Sequence, residues 1–459
     1  MFFSVVLSAI TSLVILKIDW IGSDLSTVLR WEIFAIISAY FLPFIVSPKL
    51  RKDLASPYVV FLGSYVLVSC AEAIRWIILG SAFHSPLGVT IVDYLPKALS
   101  LSLIGLLSFQ FVYFFTKPSI DQESTDFKAT ELPLAKFFSY FGILLSVTIL
   151  IILTIKYNVL ATRRGEGQFI YGLPYMLYVG VRISFIPLFL SCLYFNYKTE
   201  GRMINMRIAL AVVPYFILQA LMSSRSNFFL PILGAILLRH FMKKEREKQL
   251  FVIIIMIALT LVVFTFMTAG RKAVVRTPGV QLETFFETLS SISLSKWLCS
   301  CFLISFSPAT GALTQVIDFN EFFYGKTYLF SFLNLFLPSF ILTPAERFPT
   351  PTLWFKQVFY PNVTNLGLDF SMLAEAYLNF GLLGIPIIMA ISAYGLKRLY
   401  LLATFRKDFV SLILYVNVLI AFLWYLRSDS QPLFKQVFYT IIFIGLIQFF
   451  VKITARIRK

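Results

Sequence analysis

Twelve apolar runs, most of them joined by short connections, leave this chain few structures to adopt. They fall at about 2–16, 31–47, 57–80, 95–116, 137–156, 174–195, 208–223, 226–242, 250–268, 374–396, 409–426 and 433–451. A run of roughly 20 apolar residues spans the hydrocarbon core of a bilayer as a helix. With 58% hydrophobic residues, 14% charged and a mean hydropathy of +0.82, a soluble domain would aggregate. The expected fold is an all-α polytopic integral membrane protein of about twelve transmembrane helices.

Lysine and arginine set the expected orientation. Lys49, Arg51 and Lys52 fill the second connection, and Lys117, Lys128 and Lys136 the fourth. Lys198, Arg202 and Arg207 fill the sixth, and Lys243, Lys244, Arg246 and Lys248 the eighth. Lys397, Arg398, Arg406 and Lys407 fill the tenth, and the chain ends on Arg456, Arg458 and Lys459. All fall on one side, which the positive-inside rule makes cytoplasmic, with both termini there. The chain then divides into helices one to nine (1–268), one large external loop between spans nine and ten (269–371), and helices ten to twelve (372–459). The loop is too long for a turn, and long connections on a defined side carry chemistry or recognition. It holds a short apolar stretch, Leu298–Phe306, and aromatic segments at 327–341 and 352–360, so it is expected to lie on the membrane as a lid.

This reading also accounts for the net charge of +17, most of which sits in connections, so nucleic acid is not an expected partner. Cys70, Cys192, Cys299 and Cys301 have no metal spacing, and the two histidines, His84 and His240, are far apart in sequence. Gly-rich phosphate loops, HExxH, GxSxG and paired-aspartate motifs are missing from the sequence. No cofactor and no metal are expected.

Charges near the expected outer face carry the functional signal, because burying them without a purpose is costly. Arg163 and Arg164 follow span five, and Arg225 sits in the SSRSN turn between spans seven and eight. Arg271 and Arg276 follow span nine, Arg347 lies in the large loop, and Arg427 and Asp429 form RSD between spans eleven and twelve. Guanidinium groups from separate connections suit an anionic ligand, since the planar fork binds phosphate oxygens. The competing reading is that each arginine reaches the interface or a lipid phosphate. Glu375 stands at the start of span ten, with Asn379 on a similar helical face, and Asp369 lies just before it. A carboxylate there suits proton removal from a sugar hydroxyl, with pairing to an arginine as the other reading. Glu72 and Arg75, three residues apart in span three, read as a structural ion pair.

Several stretches resemble a known family. SFSPATGALTQVIDF and NLFLPSFILTPAERFP resemble the external loop of the O-antigen polymerases (Wzy-type). NLGLDFSMLAEAYLNFGLLG resembles the start of their tenth span, SSRSN their arginine turn and LRSDSQ their last external turn. The layout of spans around one large external loop resembles these polymerases and the related O-antigen ligases over the whole chain.

The resemblance implies a multi-spanning glycosyltransferase that depends on a lipid-phosphosugar, is metal-independent and inverts its donor. It implies residence in the bacterial cytoplasmic (inner) membrane and joining of undecaprenyl-diphosphate-linked oligosaccharide repeat units at the periplasmic face. A chain-length regulator and a flippase are implied as further partners. Arg225 and Arg271 occupy the places of the ligases' diphosphate-binding arginines. Arg276, Arg347, Arg164 and Arg427 are expected to join them, with Glu375 and then Asp369 as candidate bases. A ligase would carry a histidine in the large loop, and this chain has none there. A flippase, the other alternative, has no use for a large external loop in alternating access.

The topology has a direct check. A reporter fused after Ser331 is expected to be active only on the periplasmic side, and cytoplasmic activity would overturn the orientation.

Overall fold

The computed structural model describes residues 24–47, 50, 53, 55–79, 93–117, 127–128, 130–157, 172–221, 225–242, 304–319, 321–336, 349–361 and 370–457. Among these residues there is helix and no strand. In lipid every backbone polar group needs a partner within the protein, and a helix supplies one locally.

Among the described residues, seven helices are long and apolar enough to cross a membrane. They include α1 (Leu25–Val46), α2 (Gly63–Leu79, continuing a π-helical turn over Tyr58–Leu62), α3 (Leu95–Phe115), α4 (Leu132–Lys156) and α5 (Gly172–Glu200). Three shorter apolar helices follow the expected spans seven, eight and eleven: α6 (Met206–Leu221), α7 (Arg225–Met242) and α13 (Phe409–Tyr425). The large loop contributes α8 (Ile304–Ile317), α9 (Lys326–Phe336) and α10 (Pro351–Phe359). Span ten is broken into α11 (Met372–Phe380) and α12 (Gly384–Arg406), and α14 (Ser430–Ile457) closes the bundle. The expected spans one and nine lie outside the described residues.

Burial is inverted relative to a soluble protein. Ile155, Met206 and Leu210 are 74%, 75% and 67% exposed, whereas Glu72, Gln110, Asn196, Asn379 and Asn417 are wholly buried. Apolar side chains facing outward suit lipid, and polar side chains tie the helices together within. Gln110 of α3 shows how. Its amide donates to the Ala39 carbonyl of α1 at 2.8 Å and to the Tyr58 hydroxyl at 2.9 Å. Tyr58 in turn donates to the Tyr40 carbonyl at 2.8 Å. Such interhelical bonds average about 0.6 kcal/mol each, so close packing carries the rest. Phe185 of α5 stacks on Tyr215 of α6, their centroids 3.5 Å apart.

The basic connections gather at one end of this bundle. Asp53 accepts from Tyr400 and lies 3.6 Å from His240. Lys397 sits over the Tyr113 ring, Lys136 pairs with Glu200, and Phe127 packs on Phe195 and Phe409. Residues from the second, fourth, sixth and tenth connections, with His240 near the end of α7, therefore meet on a common face. The expected ion pair in span three is present, with Arg75 Nη1 3.6 Å from the buried Glu72 Oε2.

The described helices of segment 269–371 pack into the bundle. α8 packs beside α2, α3 and α11, and α9 beside α14. Ala309, Ala312, Leu313 and Val316 of α8 are buried, and the Thr310 hydroxyl donates to the Val68 carbonyl of α2 at 2.8 Å. Alanine, glycine and threonine in SPATGALT let two backbones approach closely. At the far end of α8, the Tyr94 hydroxyl donates to Asp318 at 2.7 Å. This bond to a carboxylate raises the Tyr94 phenol above its ordinary range.

Two glycines set the break between α11 and α12. Gly381 ends α11 at φ +58, a conformation that glycine adopts without steric cost. A Cβ on Gly384 would lie 2.0 Å from the Ala376 carbonyl oxygen, a backbone atom that cannot rotate away. Gly384→Ala is therefore expected to destabilise the protein by about 1–3 kcal/mol. Gly395→Ala, where nothing lies within 4 Å, is expected to be neutral or stabilising. Thermal unfolding of both variants in detergent checks the contrast.

Candidate active site

At the end of the bundle opposite the basic connections, polar groups from four elements converge. The arrangement begins with α11. Ser371 caps its N-terminus, accepting from the Ala374 amide at 3.0 Å. That start places Glu375 and Asn379 one turn apart on the same face, as their spacing predicts. Asn379 donates to the Glu375 carbonyl at 2.8 Å. Both side chains are wholly buried.

The large loop folds onto this face. The Phe323 and Tyr324 amides donate to the Leu378 and Asn379 carbonyls at 3.0 and 2.9 Å, satisfying acceptors at the end of α11. Tyr324 and Gly325 then turn the chain with positive φ, 48 and 84, into α9. Asn379 Oδ1 accepts from the Gly325 and Thr327 amides at 3.0 and 3.4 Å. It thus caps α9 from a different helix.

Glu375 joins α9 to α14. Its Oε1 accepts from the Thr327 hydroxyl at 2.8 Å and the Ser430 hydroxyl at 2.7 Å. Its Oε2 accepts from the Ser430 amide, also at 2.7 Å. Thr327 Oγ1 also receives Asn379 Nδ2 at 2.6 Å. Asp429, the residue before α14, accepts from the Gln431 amide and from the Thr352 amide of α10, each at 3.2 Å. Two carboxylates near one another thus face the amino ends of three helices. Unpaired N–H groups and the helix dipole favour negative charge there. The phenols of Tyr328 and Tyr425 meet at 3.4 Å and lie close enough to Glu375 to interact with it electrostatically.

The expected site residues fall as follows. Glu375 is at the centre of the cluster. Arg427 is half-buried in the turn between α13 and α14, its amide bonded to the Trp424 carbonyl at 3.0 Å. Arg225 is the first residue of α7, and its side chain lies outside the described residues. The course of α7 nevertheless fixes which end it occupies. Phe241 meets Tyr415, and Gly234 faces Ile420, so α7 runs antiparallel to α13. Arg225 therefore begins α7 at the end where α13 runs into Arg427. Arg164, Arg271, Arg276, Arg347 and Asp369 lie outside the described residues.

Sequence reasoning missed Thr327 and Ser430 as the donors to Glu375. They stand 48 and 55 residues away, and hydroxyl residues at helix starts are too common to single out. It also missed Glu32, buried within α1, whose carboxylate accepts from Ser100 of α3 at 2.9 Å.

The family model for O-antigen polysaccharide polymerase Wzy matches residues 1–457. This chain belongs to the Wzy family. No curated protein and no solved structure matches it. Wzy proteins polymerise O-antigen polysaccharide, so this chain is a polymerising enzyme of the bacterial membrane. The family is the one that the SSRSN, LRSDSQ and AEAYLNFGLLG stretches resemble.

The cap made by Asn379 has a measurable consequence. Asn379→Ala removes the acceptor for two α9 amides and is expected to cost about 1–2 kcal/mol. The readout is faster tryptic cleavage after Lys326, at the start of α9, with α14 still resistant.

Proposed function

We propose that this polymerase joins undecaprenyl-diphosphate-linked oligosaccharide repeat units at the periplasmic face, at the end of the bundle that carries Arg225, Glu375 and Arg427. The observation that supports this reading is the meeting of the large-loop helices α9 and α10 with α11 and the Arg427 turn, away from the basic connections. In the proposed topology of about twelve spans, those basic connections are cytoplasmic, both termini with them, and the large loop is external.

The reaction needs no nucleotide, because the donor's anomeric phosphate bond already stores the energy. A hydroxyl at the non-reducing end of the incoming unit attacks the anomeric carbon of the growing chain. A new C–O bond forms with inversion, the anomeric C–O bond to diphosphate breaks, and undecaprenyl diphosphate leaves with the electron pair. The acceptor's proton passes to a base. Negative charge builds on the leaving diphosphate, and arginines fixed around it stabilise that charge. We assign this work to Arg225 and Arg271, with Arg276, Arg347, Arg164 and Arg427 completing the anion site. The chemistry proposed uses side chains alone and no metal. A chain-length regulator and the flippase that delivers the repeat units are the proposed protein partners.

The proton acceptor needs a lone pair open to the substrate. Glu375 is buried and turns both oxygens to Thr327 and Ser430. We therefore assign proton removal to Asp369, the other carboxylate on the approach to α11.

Deleting the gene is expected to collapse the surface polysaccharide ladder to a single repeat unit on a gel; loss of every repeat would point instead to translocation or ligation. Within the protein, Arg225→Ala and Arg271→Ala are each expected to lose about 2.7–4 kcal/mol of transition-state stabilisation, abolishing long chains at normal protein level. Lysine at either position rescues poorly, since it lacks the bidentate fork. Normal ladders from both alanine variants would remove the diphosphate assignment. Asp369→Asn is expected to stop polymerisation while the variant still binds lipid-linked substrate.

A further inference from the structure

A buried carboxylate with three protein donors is an anchor, and what it anchors is the candidate site itself. We propose that Glu375 is a positioning residue of the polymerase. It holds the start of α9 and the start of α14 in one fixed relation, and so sets where Arg427 and the large-loop helices stand around the lipid-linked donor. This inference rests on the reading that Arg427 belongs to the diphosphate site.

The geometry carries the argument. Ser430, which gives Glu375 both its amide and its hydroxyl, is three residues from Arg427. Between them, Asp429 reaches across to the Thr352 amide and so holds α10 to the same turn. On the other side, Thr327 and Asn379 bind α9 to α11. Glu375 bonds directly to both halves of this assembly. Thr327 and Ser430 both donate to its Oε1, the Ser430 amide donates to Oε2, and the side chain is wholly buried. A base would turn an oxygen to the acceptor, whereas an anchor is expected to be satisfied by protein. The break at Gly381 separates this anchored α11 from the membrane-spanning α12.

Anchor and base make opposite predictions for variants that leave the carboxylate in place. Thr327→Val and Ser430→Ala each remove one hydroxyl donor and keep the acid. Glu375→Gln keeps the shape but turns one acceptor oxygen into a donor, so the Ser430 amide or a hydroxyl loses its partner. The test is polymerisation by the full-length protein in lipid nanodiscs, with rates measured against the concentration of a lipid-linked repeat unit.

The expected result is a shared defect. Thr327→Val, Ser430→Ala and Glu375→Gln each raise the KM for the lipid-linked unit, by roughly 10- to 100-fold for the strongest variant, with a smaller fall in kcat. The shape of the pH–rate profile is unchanged. The double variant Glu375→Gln with Ser430→Ala is expected to show less than the sum of the two single effects, because both disturb the Glu375–Ser430 contact. Loss of kcat in Glu375→Gln alone, with an altered pH profile and normal Thr327→Val and Ser430→Ala, would overturn the anchor and restore a base. Normal kinetics in all three would overturn it too. If Glu375→Gln fails to fold, the two hydroxyl variants decide. Arg427→Ala separates this inference from the reading beneath it: an unchanged KM there removes Arg427 from the diphosphate site, whatever Glu375 does.

Discussion

A carboxylate cannot stay in a dry helical bundle unless donors meet it, and Glu375 draws its donors from the starts of two other helices. Ser430 offers an amide that α14 cannot satisfy internally, and Thr327 offers a hydroxyl beside the capped start of α9. Asp429 repeats the solution one residue away with the amides of Gln431 and Thr352. Negative side chains and the amino ends of helices thus satisfy one another. The starts of α9 and α10, which would otherwise have little reason to stand in one place, are held by these bonds. A segment that is merely apolar would slide on lipid, whereas one pinned by directional bonds to a buried acid holds a geometry.

The rest of the bundle follows the same division of labour. Lipid supplies no hydrophobic force between helices, so close contacts and a few polar ties define how they pack. Gln110 ties α1, the Tyr58 turn and α3, while Phe185 and Tyr215 lock α5 to α6. The break at Gly381 and Gly384 cuts span ten into a short buried helix and a long one. The short helix bears Glu375 and Asn379, and the long one turns Ile387 and Ile391 outward.

Much of this was legible in the sequence, for identifiable reasons. A long apolar run has one outcome in a bilayer, so ten of the expected spans meet helices where they lie within the described residues. Glu375 and Asn379 share a face because four residues make about one turn. The clustering of Lys49–Lys52, Lys198, Arg207 and Lys397 in alternate connections anticipated that these connections would gather at one end. Two things were not legible. The packing of α8 against α2 depends on small residues in SPATGALT, whose apolar character is too weak to announce a buried helix. The partners of Glu375 depend on long-range register, and a sequence without its fold does not record which helix start faces which side chain. In the sequence Glu375 stands as a candidate base; the structure adds its Thr327 and Ser430 partners, the contacts on which the anchor proposal rests.

The central claim is that this bundle itself joins lipid-linked repeat units at the Arg225–Arg427 end. The most direct measurement uses the purified full-length protein in nanodiscs, with an undecaprenyl-diphosphate-linked single repeat unit as its sole substrate. A ladder of longer lipid-linked chains, with one undecaprenyl diphosphate released for each bond formed, is the outcome that follows from the account. Intact single units after prolonged incubation, with the protein folded and the substrate bound, would contradict it.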